Sequence, residues 1–197
     1  MFVSFEGIDG SGKSTQAELL ATALSAEGRR VVSVREPGGT PLGERIRELL
    51  LKGAAMSPWS EAALFAAARA ELVEAVIGPA LRDGAFVVCD RYVDSSLAYQ
   101  GIARGLGVEQ VLELSLNATG GLLPERTFLV LLDPEEAARR TGRPDRIEQE
   151  GIEFQRVVDR AYRELAERFP ERITTLDGSR PADEIAKEVR DDLRALA

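Results

Sequence analysis

Gly7-Ile8-Asp9-Gly10-Ser11-Gly12-Lys13-Ser14 is the most informative stretch of the chain, because it satisfies G-x-x-x-x-G-K-[ST]. Its surroundings matter as much as the pattern. Phe2-Val3-Ser4-Phe5-Glu6 before it reads as a short strand. Ser14 to Glu27 after it carries Ala17, Leu20, Ala21 and Leu24 at helical spacing and stops at Gly28. A glycine turn between strand and helix can wrap its N–H groups around phosphate oxygens, and the helix adds the positive end of its dipole. Lys13 can reach the terminal phosphates, and the Ser14 hydroxyl can bind Mg²⁺. The octad from Gly7 to Ser14, with Thr15 next to it, is therefore the candidate ATP cradle. A glycine turn that binds nothing is the bland reading, and the strand before and helix after argue against it.

Beyond the cradle, strands and helices alternate. Strands are expected over Arg30 to Arg35, Ala85 to Cys89, Thr127 to Leu132 and 172–176. Helices are expected over about 42–52, 58–82, 107–118, 134–141, 152–168 and 182–196. Ala85-Phe86-Val87-Val88-Cys89 is apolar throughout, as a strand covered on both faces must be. The alternation predicts an α/β fold, a parallel sheet wrapped by helices on both sides. No linker or repeat interrupts it, so residues 1–197 are expected to form one domain. Gly142 to Gly151 is polar and expected to be mobile.

The formal net charge of -8 argues against nucleic-acid or membrane partners, since neither anionic surface attracts an acidic protein. No apolar run reaches the roughly 18–20 residues that span a bilayer. Met1 to Phe5 lacks a basic n-region, so no leader is expected. Cys89 is the single cysteine, which excludes an internal disulfide; the expected compartment is the cytoplasm. The chain has no histidine, so an imidazole base and a histidine metal site are both excluded.

Three further features carry chemistry. Asp9 places a negative charge inside a phosphate loop, where it needs a partner or a purpose. It binds metal, accepts from a second substrate's sugar, or merely caps the turn. Asp90-Arg91-Tyr92 follows the third expected strand, at the carboxyl edge where open α/β sheets bind ligands. Asp90 is placed to hold Mg²⁺ and Arg91 to grip an acceptor phosphate; a plain surface ion pair is the competing reading. Arg139, Arg140, Arg143 and Arg146 cluster after the fourth strand. Alone they read as a solvated basic face; behind a phosphate loop they read as a lid, about 139–150, that closes cations over the transferring group.

Phe5 to Gln16 with its internal acid, Arg35-Glu36-Pro37-Gly38-Gly39-Thr40, Asp90-Arg91-Tyr92 with Ser95 to Gly101, and Asp145-Arg146-Ile147-Glu148 together resemble the bacterial thymidylate kinase family, in family order. The resemblance implies a P-loop fold of the nucleoside monophosphate kinase kind, with a five-stranded parallel sheet and a lid. It also implies ATP and Mg²⁺, dTMP as acceptor, and a homodimer. By the same resemblance Phe65 stacks on thymine, Arg69 donates to its O4, and Ser96 with Gln100 faces its N3 side. Tyr99 crowds the sugar 2′ position, Arg35 and Arg91 hold the dTMP phosphate beside Pro37, and Asp9 touches the 3′-hydroxyl. On periodicity alone Phe65 would be a core residue. Gly10 after Asp9, with arginines in the lid, resembles members whose lid supplies the catalytic cation: Arg143 nearest the tip, with Arg139 or Arg140 on adenine. The catalytic set is then Lys13, Asp9, Arg91 and Arg143, with Ser14 and Asp90 for the metal.

Two rival functions compete. A deoxynucleoside kinase needs a base for a hydroxyl acceptor, and Glu36 could serve, but Arg35 beside it suits a charged acceptor. A guanine-nucleotide switch needs N-K-x-D, and no lysine in the chain follows an asparagine.

Overall fold

The computed structural model describes residues 1–142 and 146–196. Its five strands are all parallel, in the order β2-β3-β1-β4-β5. β1 (Phe2–Glu6) is central, between β3 (Phe86–Asp90) and β4 (Arg126–Leu131); β2 (Val31–Arg35) and β5 (Ile173–Asp177) form the edges. From β1 the chain crosses to one side of the sheet for β2 and β3, then to the other for β4. That switch leaves a crevice at the carboxyl end of β1. The register aligns Phe5 with Asp90 and Arg35 with Asp90, so β1, β2 and β3 deliver Glu6, Arg35 and Asp90 to one edge. β3 begins and ends one residue later than the sequence suggests, which puts Asp90 on the ladder.

The two faces of β1 differ. Val3 and Phe5 pack with Leu20 and Leu24 of α1 (Lys13–Ala26) and with Ile185 and Val189 of α9 (Ala182–Leu196). Phe2 faces the opposite layer, where α3 (Pro58–Leu72) and α8 (Ile152–Arg168) bring Leu72, Tyr162 and Leu165. Ser4 and Glu6 alternate with Phe5, and both are 0% exposed. Buried polar groups need partners. Ser4 Oγ shares a hydrogen bond with Thr127 Oγ1, which donates to Asp94, and Arg172 holds both Asp94 oxygens at 2.6 and 2.8 Å.

The helix expected over 58–82 is continuous but not uniform. α3 passes into a π turn, Val73–Ile77, before α4 (Gly78–Arg82). Pro79 has no N–H to donate and its ring crowds the carbonyl four residues back; the widened turn just before it absorbs that conflict.

α5 (Val93–Ser96) and the π-helical segment Leu97–Ala103 behind it were not expected from the sequence. Val93, Asp94 and Ser96 to Gly101 are all buried, so there is no exposed face to give a helical period. α2 (Pro41–Lys52), α6 (Val108–Thr119) and α7 (Pro134–Arg140) match expectation within a residue or two.

The stretch expected to be mobile makes defined contacts at its described end. Arg146 donates from its N–H to Leu51 O at 3.0 Å and from Nε to Leu50 O at 2.6 Å. Ile147 is buried and Glu148–Glu150 forms a 3₁₀ turn. The described end of this stretch is docked on α2 and α3, where Leu50, Leu51 and Glu61 hold Arg146. Arg143 and Asp145 lie outside the described residues. Among the described residues, no helix is long and apolar enough to cross a membrane.

Candidate functional site

α1 starts at Gly12, whose φ of 102° lies in the left-handed region and which offers no side-chain cap. The first-turn N–H groups of Lys13, Ser14 and Thr15 have no partner four residues back in the helix, which is the geometry that accepts an anion. Gly10 is glycine for reasons of space. Its φ is +81°, and a Cβ there would stand 2.2 Å from Ala137 O of α7. The loop tip is thus pressed against α7, where Arg139 is exposed and Arg140 reaches Gly178 O at 3.3 Å and Glu136 at 2.6 Å.

Asp9 has its partners. Lys13 Nζ lies 3.0 Å and Arg91 Nη2 2.6 Å from its Oδ1. Burial opposes ionisation of Asp9, but Arg91 and then Lys13 outweigh it and hold the carboxyl well below its usual range. Its charge therefore clamps two cations and does not cap the turn. Ser14 Oγ donates to Asp90 Oδ2, and the buried Asp90 Oδ1 has no protein partner among the described residues. A hydroxyl beside a carboxylate is a hard-oxygen pair that suits Mg²⁺, completed by phosphate oxygens. Among the described residues no group of three His, Cys, Asp or Glu side chains could hold a metal without such help.

Arg91 adopts φ 70°, the one positive value of a non-glycine among the described residues. That turn aims its guanidinium back across the sheet edge. Nη1 donates to Ser95 Oγ at 3.0 Å and Tyr162 OH at 3.1 Å, and the group lies 5.5 Å above the Tyr99 ring. Beneath it sits Glu6, which accepts from Tyr92 N at 2.7 Å, Ser95 Oγ at 2.6 Å and Tyr162 OH at 3.0 Å. Burial, then the nearby Asp94, push the Glu6 carboxyl up to about 7 against the pull of Arg91 and these donors.

This yields a pH prediction. A carboxyl whose pKa is higher folded than unfolded keeps its proton in the native state between about pH 4.5 and 7 and releases it on unfolding. Its contribution is fully present below 4.5 and lost as pH rises through 7. The shift corresponds to about 3 kcal/mol. Asp9 acts with the opposite sign and in a lower window, its contribution being lost as pH falls below about 4. Denaturant unfolding of wild type and Glu6→Gln from pH 5 to 8 should therefore show the steeper loss in wild type. Parallel curves would refute the assignment.

The second wing of the cleft is lined by Arg35, Pro37, Phe65, Ser96, Tyr99 and Gln100, together with Glu36 and Arg47. Arg35 faces the cleft while paired with Glu44 at 3.0 Å. Arg69 does not line it. At 1% exposure, it donates from Nε to Glu36, from Nη1 to Ser115 and from Nη2 to Tyr92 O and Ser96. It stands behind Glu36 and Ser96, which do line the cleft. Glu36 Oε1 is buried without a protein partner among the described residues, and burial raises that carboxyl to about 7 despite Arg69.

The structure brings Lys13, Asp9, Ser14, Asp90 and Arg91 together. Arg139 and Arg140 stand apart on α7, and Arg143 is outside the described residues. Sequence reasoning gave no role to Glu6, Arg47, Ser95 and Tyr162, although Glu6 and Ser95 lie within the quoted motifs. Tyr162 sits on the amphipathic α8 and reads simply as core; Arg47 reads as a helix surface cation, although it reaches Pro37 O at 2.9 Å. Glu6, the one charged residue of β1, carried a signal that could have singled it out.

A family model described as "Thymidylate kinase" matches residues 5–189. The thymidylate kinase of Symbiobacterium thermophilum is 50% identical over 194 residues, covering 96% of this chain and 91% of that protein. That of Synechococcus sp. is 49% identical over 189 residues, covering 96% and 93%. Among solved structures, the crystal structure of thymidylate kinase from Ehrlichia chaffeensis matches with a TM-score of 0.81 and 33% sequence identity, over 98% of each chain.

Proposed function

The chain belongs to the thymidylate kinase family, and from that membership and its cleft we infer that it transfers the γ-phosphoryl group of ATP to dTMP, giving dTDP and ADP. One observation carries the reading of the site. The P-loop lysine and the arginine at the other wing of the cleft are clamped by a single carboxylate, Asp9 Oδ1. A donor-phosphate cation and an acceptor-phosphate cation held that close suit an acceptor that is itself a phosphate.

Such an acceptor needs no general base. A phosphomonoester has a second pKa of about 6 and is largely dianionic at neutral pH. What opposes reaction is repulsion between two phosphates. Lys13 and the first-turn N–H groups of α1 take the donor side; Arg91 and Arg35 take the acceptor side and align its oxygens. Mg²⁺, held by Ser14 and Asp90, would neutralise further charge on the donor phosphates. Both cations use Asp9 Oδ1, and the carboxylate is 33% exposed, so Oδ2 is available to a substrate hydroxyl or metal. Phe65 offers a face to the base, and Tyr99 fills the space of a 2′-hydroxyl. Arg139 or Arg140 is proposed to cover adenine, and Arg143 is the lid cation proposed to act in the transition state. Arg69 supports Ser96 and Glu36 from behind.

The same reading has one domain over residues 1–197, a lid at about 139–150, a cytoplasmic enzyme and a homodimer. Exposed Leu42 and Leu49 on α2 and Trp59 on α3 offer apolar surface for the last.

ADP release measured with ATP-Mg²⁺ and each nucleoside monophosphate, or thymidine, tests the reaction. dTMP should be the best acceptor and thymidine inert. Turnover of thymidine with refusal of dTMP would overturn the reading in favour of a hydroxyl acceptor, with Glu36 as base.

A further inference from the structure

Gln100 lines the cleft, yet its amide nitrogen is turned away from it. Nε2 donates to Glu61 Oε1 at 2.9 Å, and both side chains are buried, at 1% and 2% exposure. Glu61 lies one helical turn before Phe65 on α3, on the same face, but does not itself line the cleft. It is held by two cations from elsewhere. Arg104 Nε reaches Oε1 at 3.2 Å, and Arg146 Nη2 reaches Oε2 at 2.6 Å. Burial opposes ionisation of Glu61, but the bonds from Arg146, Gln100 and Arg104 outweigh it and hold the carboxyl low.

A carboxamide has the same shape either way round, and its neighbours decide which end is which. An ionised carboxylate accepts only, and both arginines donate only. Gln100 can therefore meet Glu61 only with its NH₂ group, and the opposite end of the amide, a carbonyl oxygen, is the one presented to a ligand. A carbonyl oxygen suits the N3–H of thymine or uracil. Against cytosine it meets the N3 lone pair, acceptor against acceptor.

We propose that Glu61 is a positioning residue that fixes the Gln100 carboxamide with its acceptor toward the base, and so selects an imide base over cytosine. This rests on the proposed dTMP reaction. The pair of arginines matters because a neutral Glu61 could donate to Gln100 and release the constraint. Arg146 thus has a function in the docked position that a lid cation would not have.

The test is the ratio of kcat/KM for dTMP to that for dCMP, with ATP-Mg²⁺ saturating. Glu61→Gln preserves size but offers both a donor and an acceptor, so Gln100 can turn over. The ratio should fall at least about tenfold, since one buried polar mismatch is no longer enforced. The change should lie mainly in the KM for dTMP. Both substrates are assayed on one preparation, so loss of folded protein cancels, and Glu61→Asp, which keeps a carboxylate, should retain more of the ratio than Gln. In a Gln100→Leu background, adding Glu61→Gln should leave the ratio where it was. An unchanged ratio in Glu61→Gln overturns the proposal. So does an equal fall in both backgrounds, which would mean that Glu61 acts through something other than Gln100. A wild-type enzyme with no preference for dTMP would instead remove the reading of the reaction on which the proposal stands.

Discussion

Lys13→Ala is expected to lower kcat by roughly 10²–10³-fold or more, the scale lost when one preorganised charge-stabilising donor is removed. Lys13 is 6% exposed, and burial, then Arg91, depress its pKa while Asp9 and Asp90 oppose them. A buried ammonium of this kind has little water to give up when a phosphate arrives, so its field acts on the reacting group at close to full strength. The fold should survive, because Asp9 keeps Arg91 when the lysine is gone. Steady-state turnover at saturating ATP and Mg²⁺ measures the effect, with a thermal melt as control. Near-wild-type turnover would remove the P-loop from the mechanism.

Arg91→Lys should be nearly as damaging, although it keeps the charge. The guanidinium uses both arms: Nη1 to Ser95 and Tyr162, Nη2 to Asp9 at 2.6 Å. An ammonium is one point and cannot span both directions. We expect kcat/KM for dTMP to fall by about 10²–10³-fold, with the KM for dTMP rising more than that for ATP. Stability should drop by about 1–3 kcal/mol, as buried acceptors around Glu6 lose a donor. The strained backbone adds to this: φ 70° is costly for either residue, and only the arginine recovers the cost through its fork. An unchanged KM for dTMP in Arg91→Lys would move acceptor binding to Arg35 or Arg47.

The cradle was legible because everything it needs is consecutive in sequence. Glycines at left-handed φ, a lysine and a hydroxyl one and two places after Gly12, and a helix that follows at once are local requirements. The parallel sheet was legible for a related reason, since strands buried on both faces are mostly apolar, as β3 is from Phe86 to Cys89. The buried helical stretch from Val93 to Ala103 was not, because full burial erases the very periodicity that marks a helix.

Which charges meet was decided by the tertiary structure alone. Nothing near Arg146 in the chain announces Glu61, which is 85 residues away, and nothing near Glu6 announces Tyr162 at a separation of 156. Composition had placed Arg146 with its neighbours in a mobile basic lid, and resemblance had placed Arg69 on the base. Packing puts Arg146 on α2 and Glu61, and Arg69 on Glu36, Ser115 and Ser96. The physical reason is the same in both cases. Burying a charge is tolerable only where partners satisfy it, and those partners exist only once distant segments are packed together. Residue type and spacing thus determined that this chain carries a phosphate-binding loop and on what scaffold; the assembled core decided which side chains face the cleft and which hold them in place.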